Sequence, residues 1–583
     1  MLKSKLAHIT TPIFYPNAKP HLGHLYSSVI CDVQNRWNKL QGYETKFTTG
    51  TDEHGLKIQN AALLANVAPK KFVDRLALDF QKMDHRANID YTRFIRTTDP
   101  DHVVNVEKLW NLCSKYIYKG QHKGWYSVSD ETFYPESQIV EVLPDGKELP
   151  FDSAKFNQIP KSNWKSLNYI NTESRNKVVY QSETNYFFQL SAFQQPLIEY
   201  IRAHPGFIKP EKKRQDVLKI LEEQPLQDLS ISRPSSRLQW AIGVPGDTTQ
   251  KVYVWFDALC NYITSIGEIQ SFVQSSPSPS PSQQEASEKN KLWWKNTTHV
   301  IGKDIVKFHC IYWPAFLMAA NIGLPREIVV HGHWLSEGVK MSKSLGNVVD
   351  PIAMIEHYGA DSLRWYVLEN SSIEHDGDFI EESLYTTRQS FVGKWGNLIN
   401  RCCSPKFDLQ RAVSKYAGNF RTLQNGIPQG ALELFKDEKE KELYKELIDE
   451  LQTFPKEMNE FMTLFNYQHT LKRFWKILND ANNFVQYSEP WKCSARGVSP
   501  QEDQAVLDRQ DFIVYVGCET SRILSILAQP FIPELSVAFL KRLGVTKNEL
   551  HYAQLGKDSD YGFNCNVKGN VPITRVEKRE SCK

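Results

Sequence analysis

Hydrophobic and polar positions near the start of the chain repeat in two periods. Leu6 to Phe14 has the pattern of a short buried strand, ended by Pro16. A polar turn, Asn17-Ala18-Lys19-Pro20, leads into Leu22, Leu25, Val29 and Ile30, spaced for one face of a helix. Phe47-Thr48-Thr49-Gly50 looks like the end of a second strand, Leu56 to Ala68 reads as helix, and Pro69 marks a break or a new helix N-terminus. Strand, loop and helix in this rhythm predict an α/β domain around a parallel sheet.

The rhythm breaks between about Gly120 and Pro225. Hairpin-like runs at Trp125-Tyr126-Ser127-Val128 and Lys177-Val178-Val179-Tyr180, then helical spacing from Tyr186 to Arg202, predict an inserted domain with a small β portion. The parallel pattern returns at Lys251 to Phe256, His299 to Gly302 and Glu327 to His331. Between them, Ser271 to Asn290 is dominated by Ser, Pro, Gln and Glu, and is expected to be a disordered surface insertion. From about Thr386 helical periodicity takes over: Tyr444 to Phe465 with an interruption at Pro455, Leu471 to Val485, and Phe512 to Leu527. The basic end, Lys568 to Lys583, suits a solvated tail or a contact with RNA backbone. The expected division is 1–119 and 226–335 as two halves of one domain, with 271–290 disordered, 120–225 inserted, 336–385 a region that carries the Lys340–Ser344 loop and a stem contact, and 386–583 helical with a C-terminal tail.

Composition narrows the function classes. Seventy basic against 67 acidic side chains give a formal charge of +3, so any nucleic-acid surface must be local rather than global. Ten cysteines without a CxxC suggest neither a zinc knuckle nor a redox pair, and fit a reducing compartment. No run approaches the roughly 18 apolar residues of a membrane span. Lys3 and Lys5 without a nearby acid are compatible with an import signal.

Two clusters carry the chemistry. His21-Leu22-Gly23-His24 opens a helix, where two imidazoles three positions apart share a side and backbone N–H groups favour an anion. Gly23 would admit a flat ring or a close backbone approach. Alone, the pair suits capping or core histidines equally well. Lys340-Met341-Ser342-Lys343-Ser344, between Gly338 and Gly346, offers mobile positive charge and short donors for phosphate. Both follow expected parallel strands, where open α/β sheets place ligands. No GxxxxGK[ST] is present, so this is not a P-loop enzyme.

These two segments resemble the paired signatures of class I aminoacyl-tRNA synthetases. Ile9-Thr10-Thr11-Pro12-Ile13-Phe14-Tyr15 and Thr49-Gly50-Thr51-Asp52-Glu53-His54-Gly55 narrow the likeness to the methionyl-tRNA synthetase family, over about residues 6 to 500. The resemblance implies a Rossmann-like parallel-sheet catalytic domain, an inserted connective domain and an all-helical C-terminal anticodon-binding domain. It implies ATP, accompanied by Mg²⁺, and L-methionine as substrates and tRNA-Met, initiator and elongator, as partner. His21, His24, Lys340 and Lys343 would act on the triphosphate. Gly23, Gly302, Asp304 and Ser342 would help to hold the nucleotide, Lys303 lying in the same segment. Asp52 would bind the substrate ammonium and Arg233 its carboxylate or the phosphate. Ile13, Tyr15, Trp255, Ala258, Tyr262, His309 and Trp313 would line the methionine slot, Tyr262 and His309 offering polar contacts to sulfur. Asn397, Arg401 and Trp491 would meet the anticodon.

Two departures from the family pattern stand out. Leu259 occupies a place where many relatives have proline, which bears on the edge of the pocket. The hairpin reads Trp125-Tyr126-Ser127-Val128-Ser129-Asp130-Glu131 where relatives carry zinc-knuckle cysteines, so no structural zinc is expected and a polar turn should hold it. No separate editing domain is evident. Binding can reject a ligand one methyl shorter by only about 10- to 200-fold, so homocysteine is expected to be cleared by cyclisation at the synthetic site, as in relatives. A monomer in the mitochondrial matrix is the favoured setting, with the cytoplasm as alternative. A nucleotidyltransferase with the same signatures, or a synthetase-derived RNA-binding protein, are the competing classes.

Overall fold

The computed structural model describes residues 5–127, 132–274, 281–341, 346–418, 423–424, 427–428, 431–493, 500–563, 565 and 571–579. Its centre is a six-stranded sheet. β1 (Leu6–Thr10) lies between β2 (Glu44–Thr51) and the strand Thr297–Gly302; β3 (Arg93–Arg96) flanks β2, and Glu327–His331 then Ile208–Lys209 complete the far side. Every pairing is parallel, as the alternation of strand and helix predicts. The register sets Thr10 beside Thr48 and His299, and Gly302 beside His331, so the carboxyl ends of the strands share one rim.

α1 (Leu22–Leu40) buries Leu22, Leu25, Val29 and Ile30 against this sheet. α2 (Leu56–Leu64) and α3 (Pro69–Arg86) are separate helices, with Pro69 in the first turn of the second, where a missing N–H costs nothing. α4 (Pro100–Leu112) follows β3.

The inserted region is more strand-rich than the pattern predicts. Ile117–Ser127 pairs antiparallel with Lys177–Phe188 along its full length, so the expected helix from Tyr186 begins only at Gln194. Trp125, Phe156 and Tyr169 are buried at the core of this sheet, with Phe151, Trp164 and Tyr180 packed around them. Trp125 lies 4.5 Å from Tyr169 and 4.9 Å from Phe156, ring centre to ring centre. An aromatic cluster therefore supports the hairpin; residues 128–131, and with them the expected polar turn, lie outside the described residues.

Three further expectations are corrected. Lys251 to Phe256 is not a parallel strand: Asp247–Val252 is antiparallel to Ser232–Pro234, and Val254–Leu259 is a helix. A short apolar run fits a buried helix as well as a strand, and periodicity cannot separate them. Residues 281–290 are not disordered, because they begin the helix Pro281–Lys295. Its end buries Trp293 and Trp294, while Ser287 and Asn290 hydrogen-bond to Ser271; residues 275–280 lie outside the described set. Glu438–Thr463 runs through Pro455 without a break. Leu451, Phe454 and Met458 are buried on either side of it, and packing there outweighs the roughly 3 kcal/mol that an internal proline costs.

Glu438–Thr463, Tyr467–Ser488 and Pro500–Leu527 form the body of the helical end. The described part of the final segment, 571–579, is not a free tail. Arg579 grips both oxygens of Glu381, Lys578 pairs with Glu382, and Arg388 and Gln389 donate to the carbonyls of Thr574 and Val576. Among the described residues no helix is long and apolar enough to cross a membrane.

Candidate active site

The turn before α1 fixes both signature histidines. His21 is the N-cap: its Nδ1 accepts from the Gly23 N–H at 3.1 Å, and the His21 N–H donates to Nδ1 of His24 at 3.1 Å. A backbone N–H can only donate, so each ring accepts at Nδ1 and carries its proton on Nε2. The rings lie 3.9 Å apart. Burial, then the neighbouring His21, pull the His24 imidazole well below its ordinary 6.5, with Asp304 opposing. His24 is therefore neutral near pH 7 and presents an Nε2–H donor. Gly23 has a local reason as well: a Cβ there would stand 3.0 Å from the His21 ring.

Phe14 connects this turn to the next segment. Its ring meets the His24 ring edge-on at 5.2 Å, and its carbonyl accepts the Asp52 N–H at 2.9 Å. Asp52 is 6% exposed, at the carboxyl end of β2. Tyr15 donates its hydroxyl to the His54 carbonyl at 3.2 Å, and Ile13 is half-buried beside Phe14. Glu53, which the sequence quotes without a role, is fully buried and bidentate to Arg96, with Thr51 and Thr98 also donating. This locks the Asp52 segment to β3.

The aromatic slot is equally ordered. Trp255 stacks on Phe308 at 3.7 Å and 6°, and meets the edge of His309. His309 Nδ1 donates to the Ile305 carbonyl, which leaves Nε2 to accept the Tyr262 hydroxyl at 2.7 Å. Burial lowers the His309 imidazole to about 4 and raises the Tyr262 phenol, so both are neutral. Both protons are engaged within the protein, the His309 Nδ1–H on the Ile305 carbonyl and the Tyr262 hydroxyl on His309 Nε2. Trp313 is fully buried behind Tyr262, at 6.2 Å between ring centres. Ala258 is buried, and Leu259 ends the helix as a buried apolar residue.

At the rim of the neighbouring strands, a Cβ on Gly302 would approach Asp304 Oδ1 to 2.9 Å, so a side chain there would push the carboxylate aside. Asp304 pairs with His333 at 3.1 Å, and Lys303 grips both oxygens of Asp376. A cleft of about 220 Å³ opens beside them, lined by Lys213, Lys303, His331 and His375 among others. Arg233 donates to Ser230 and to the Ser232 carbonyl, with its guanidinium 4.6 Å from the Tyr253 ring centre, and lines a small cavity with Leu56, Tyr253 and Val254.

Lys340 ends the short strand Val339–Lys340, paired antiparallel with Trp334–Ser336. Met341 is buried. Ser342, Lys343 and Ser344 lie outside the described residues.

In the helical region, Tyr467–Ser488 ends at Glu489 in the left-handed conformation, and Pro490–Lys492 forms a single turn. Gln510 holds that turn through the Pro490 and Cys493 carbonyls. The result is a Trp491 that is 36% exposed, with the Arg401 guanidinium 4.7 Å from its ring. Arg401 also donates to Gln486, and Asn397, one turn earlier, is exposed.

A parallel α/β sheet whose rim carries a histidine pair at a helix N-terminus, followed by a helical domain with an exposed tryptophan–arginine face, is the architecture of a class I aminoacyl-tRNA synthetase. A family model described as "tRNA synthetases class I (M)" matches residues 7–403. The chain is 51% identical to the mitochondrial methionine–tRNA ligase of Saccharomyces cerevisiae, over 99% of this chain and 97% of that one. It is 36% identical to the mitochondrial methionine–tRNA ligase of Homo sapiens, over 97% and 88%. Its fold superposes with a TM-score of 0.75 on a Mycobacterium tuberculosis methionyl-tRNA synthetase in complex with methionyl-adenylate, at 32% identity and covering 94% and 96% of the two chains. The chain belongs to the methionyl-tRNA synthetase family.

Proposed function

We propose that this chain joins L-methionine to tRNA-Met in the mitochondrial matrix, in two steps at one site. The methionine carboxylate attacks the α-phosphorus of ATP, forming methionyl-adenylate and releasing pyrophosphate. The terminal adenosine hydroxyl of the tRNA then takes the methionyl group and AMP leaves. The observation that carries the reading is the pair of Nε2–H donors at the N-terminus of α1, each fixed by a backbone N–H on its Nδ1, with the His24 ring kept neutral by burial. Donors held in place before reaction stabilise charge that moves onto phosphate oxygens without reorganising.

Asp52 receives the substrate ammonium, and Trp255, Ala258, Tyr262, His309 and Trp313, with Ile13 and Tyr15, surround the side chain. Arg233 steadies the carboxylate or phosphate side. Gly302 and Asp304 hold the nucleotide, with Gly23 allowing its close approach and Ser342 donating to it. Lys340 and Lys343 close on the leaving pyrophosphate and exclude water. Mg²⁺ enters on the ATP phosphates; among the described residues no group of three or more His, Cys, Asp or Glu is placed to hold a metal ion. The enzyme acts as a monomer on both initiator and elongator tRNA-Met, reading the anticodon with Asn397, Arg401 and Trp491. The deciding assay is methionine-dependent ATP–pyrophosphate exchange followed by charging of the two tRNAs side by side. Folded protein that exchanges no label with methionine would overturn the reading.

Two predictions separate the ends of the molecule. Lys343→Ala cuts the exchange rate by about 10²-fold or more, the scale of losing one transition-state donor, while tRNA binding stays near the parent level. Trp491→Ala does the reverse. Stacking of one base on an aromatic ring contributes about 1–3 kcal/mol, so KM for tRNA rises tenfold or more in a charging assay and exchange is unchanged.

A further inference from the structure

A buried carboxylate with an imidazole on each oxygen joins the Asp52 segment to the aromatic slot. Asp257 and His102 are fully buried and His54 is 6% exposed. His54 Nδ1 donates to Asp257 Oδ2 at 2.7 Å, and His102 Nε2 donates to Oδ1 at 2.7 Å. Burial pushes the Asp257 carboxyl up, but the charge of His54 and hydrogen bonds from both rings outweigh it and hold the group below its ordinary value. Three elements meet here: the turn after β2, α4, and the helix Val254–Leu259.

The position of this unit gives it a task. His54 lies two residues after Asp52, and its carbonyl holds the Tyr15 hydroxyl. Asp257 lies between Trp255 and Ala258 on its helix. One carboxylate therefore spans the residues assigned to the substrate ammonium and those assigned to its side chain. We propose that His54–Asp257–His102 is a positioning clamp that sets the distance between the ammonium site and the side-chain slot, and so governs the KM for methionine. This rests on the methionine-pocket reading above. Hydrogen bonds to an ionised acceptor are strong and directional, and burial strengthens them. Methionine is gripped at both ends, so a slip of the ammonium turn against the helix misplaces one end whenever the other is seated.

The ring nitrogens in use supply the test. An asparagine amide reaches about where Nδ1 sits, and a glutamine amide about where Nε2 sits. His54→Asn and His102→Gln should keep the clamp; His54→Gln and His102→Asn should not. In ATP–pyrophosphate exchange the mismatched pair is expected to raise KM for methionine about tenfold or more, since a misplacement of about 1 Å can cost 10²-fold. KM for ATP should stay within about twofold of the parent, and the matched pair should stay near it. Matched and mismatched amides that behave alike, or a KM for ATP that rises in step, would overturn the proposal. Trp255→Ala is the control for the pocket itself. If it leaves KM for methionine unchanged, the pocket reading falls and the clamp with it. If it raises KM while the four amides do not sort by length, the clamp alone falls.

Discussion

His24→Ala lowers the rate of methionine-dependent ATP–pyrophosphate exchange by about 10²- to 10³-fold, the usual loss for one preorganised donor at a developing charge. Its ring is neutral, its Nδ1 is occupied by the His21 N–H, and its Nε2–H is the part left to act on phosphate. The loss should fall on kcat, with KM for methionine and ATP changing little, because the interaction strengthens only as charge moves. The same substitution removes a helix cap, which costs about 1 kcal/mol of stability. His24→Asn tells the two effects apart. Its side-chain oxygen reaches about where Nδ1 sits and can accept the His21 N–H, but it places no donor near Nε2, so it should recover stability without recovering kcat. A His24→Asn rate near the parent's would show that the ring acts as a structural cap and not as a donor.

What made His24 legible was its position relative to apolar spacing. Leu22, Leu25, Val29 and Ile30 mark the buried face of α1, and the histidines fall at its N-terminus, where the polar turn ends. The parallel strands near 299–302 and 327–331 were legible for a similar reason, as short apolar runs bounded by polar turns. The pattern fails where a local signal has two solutions. Val254-Trp255-Phe256 could be strand or helix by spacing alone, and it opens the helix Val254–Leu259. The Ser/Pro/Gln-rich stretch reads as disordered until Trp293 and Trp294, which lie just beyond it, are seen to bury and order residues 281–290. Asp257 and His102 carry no sequence signal at all: they are 155 positions apart, and a buried pair at that separation leaves no period to read. The roles proposed for the pocket residues came from family resemblance, because a buried tryptophan such as Trp313 looks the same in a core and in a slot.

Replacing Arg364 by methionine destabilises the protein by about 3–5 kcal/mol, the scale of leaving several buried carbonyls without a donor at about 1–3 kcal/mol each. Arg364 is fully buried. It pairs with Asp32 of α1 at 2.6 Å and donates to the carbonyls of Ala87, Pro530 and Phe531. Asp32 keeps other partners, accepting from Arg36 and from the Asp90 N–H, so the carboxylate is not stranded. The loss comes instead from three buried carbonyls on two domains, none of which methionine can satisfy. A urea titration should show an earlier first transition, and Arg364→Met combined with Asp32→Asn should cost less than the two changes summed, because they share one interaction. The contact also joins the helix that begins at the signature histidines to Pro530 and Phe531, just past the end of Pro500–Leu527 in the helical domain. Folded Arg364→Met enzyme should therefore lose more tRNA charging than methionine activation, since only charging needs both domains held in one orientation. A variant as stable as the parent would mean that desolvating the guanidinium costs as much as its contacts return. An unchanged ratio of charging to exchange would place the coupling between the domains elsewhere.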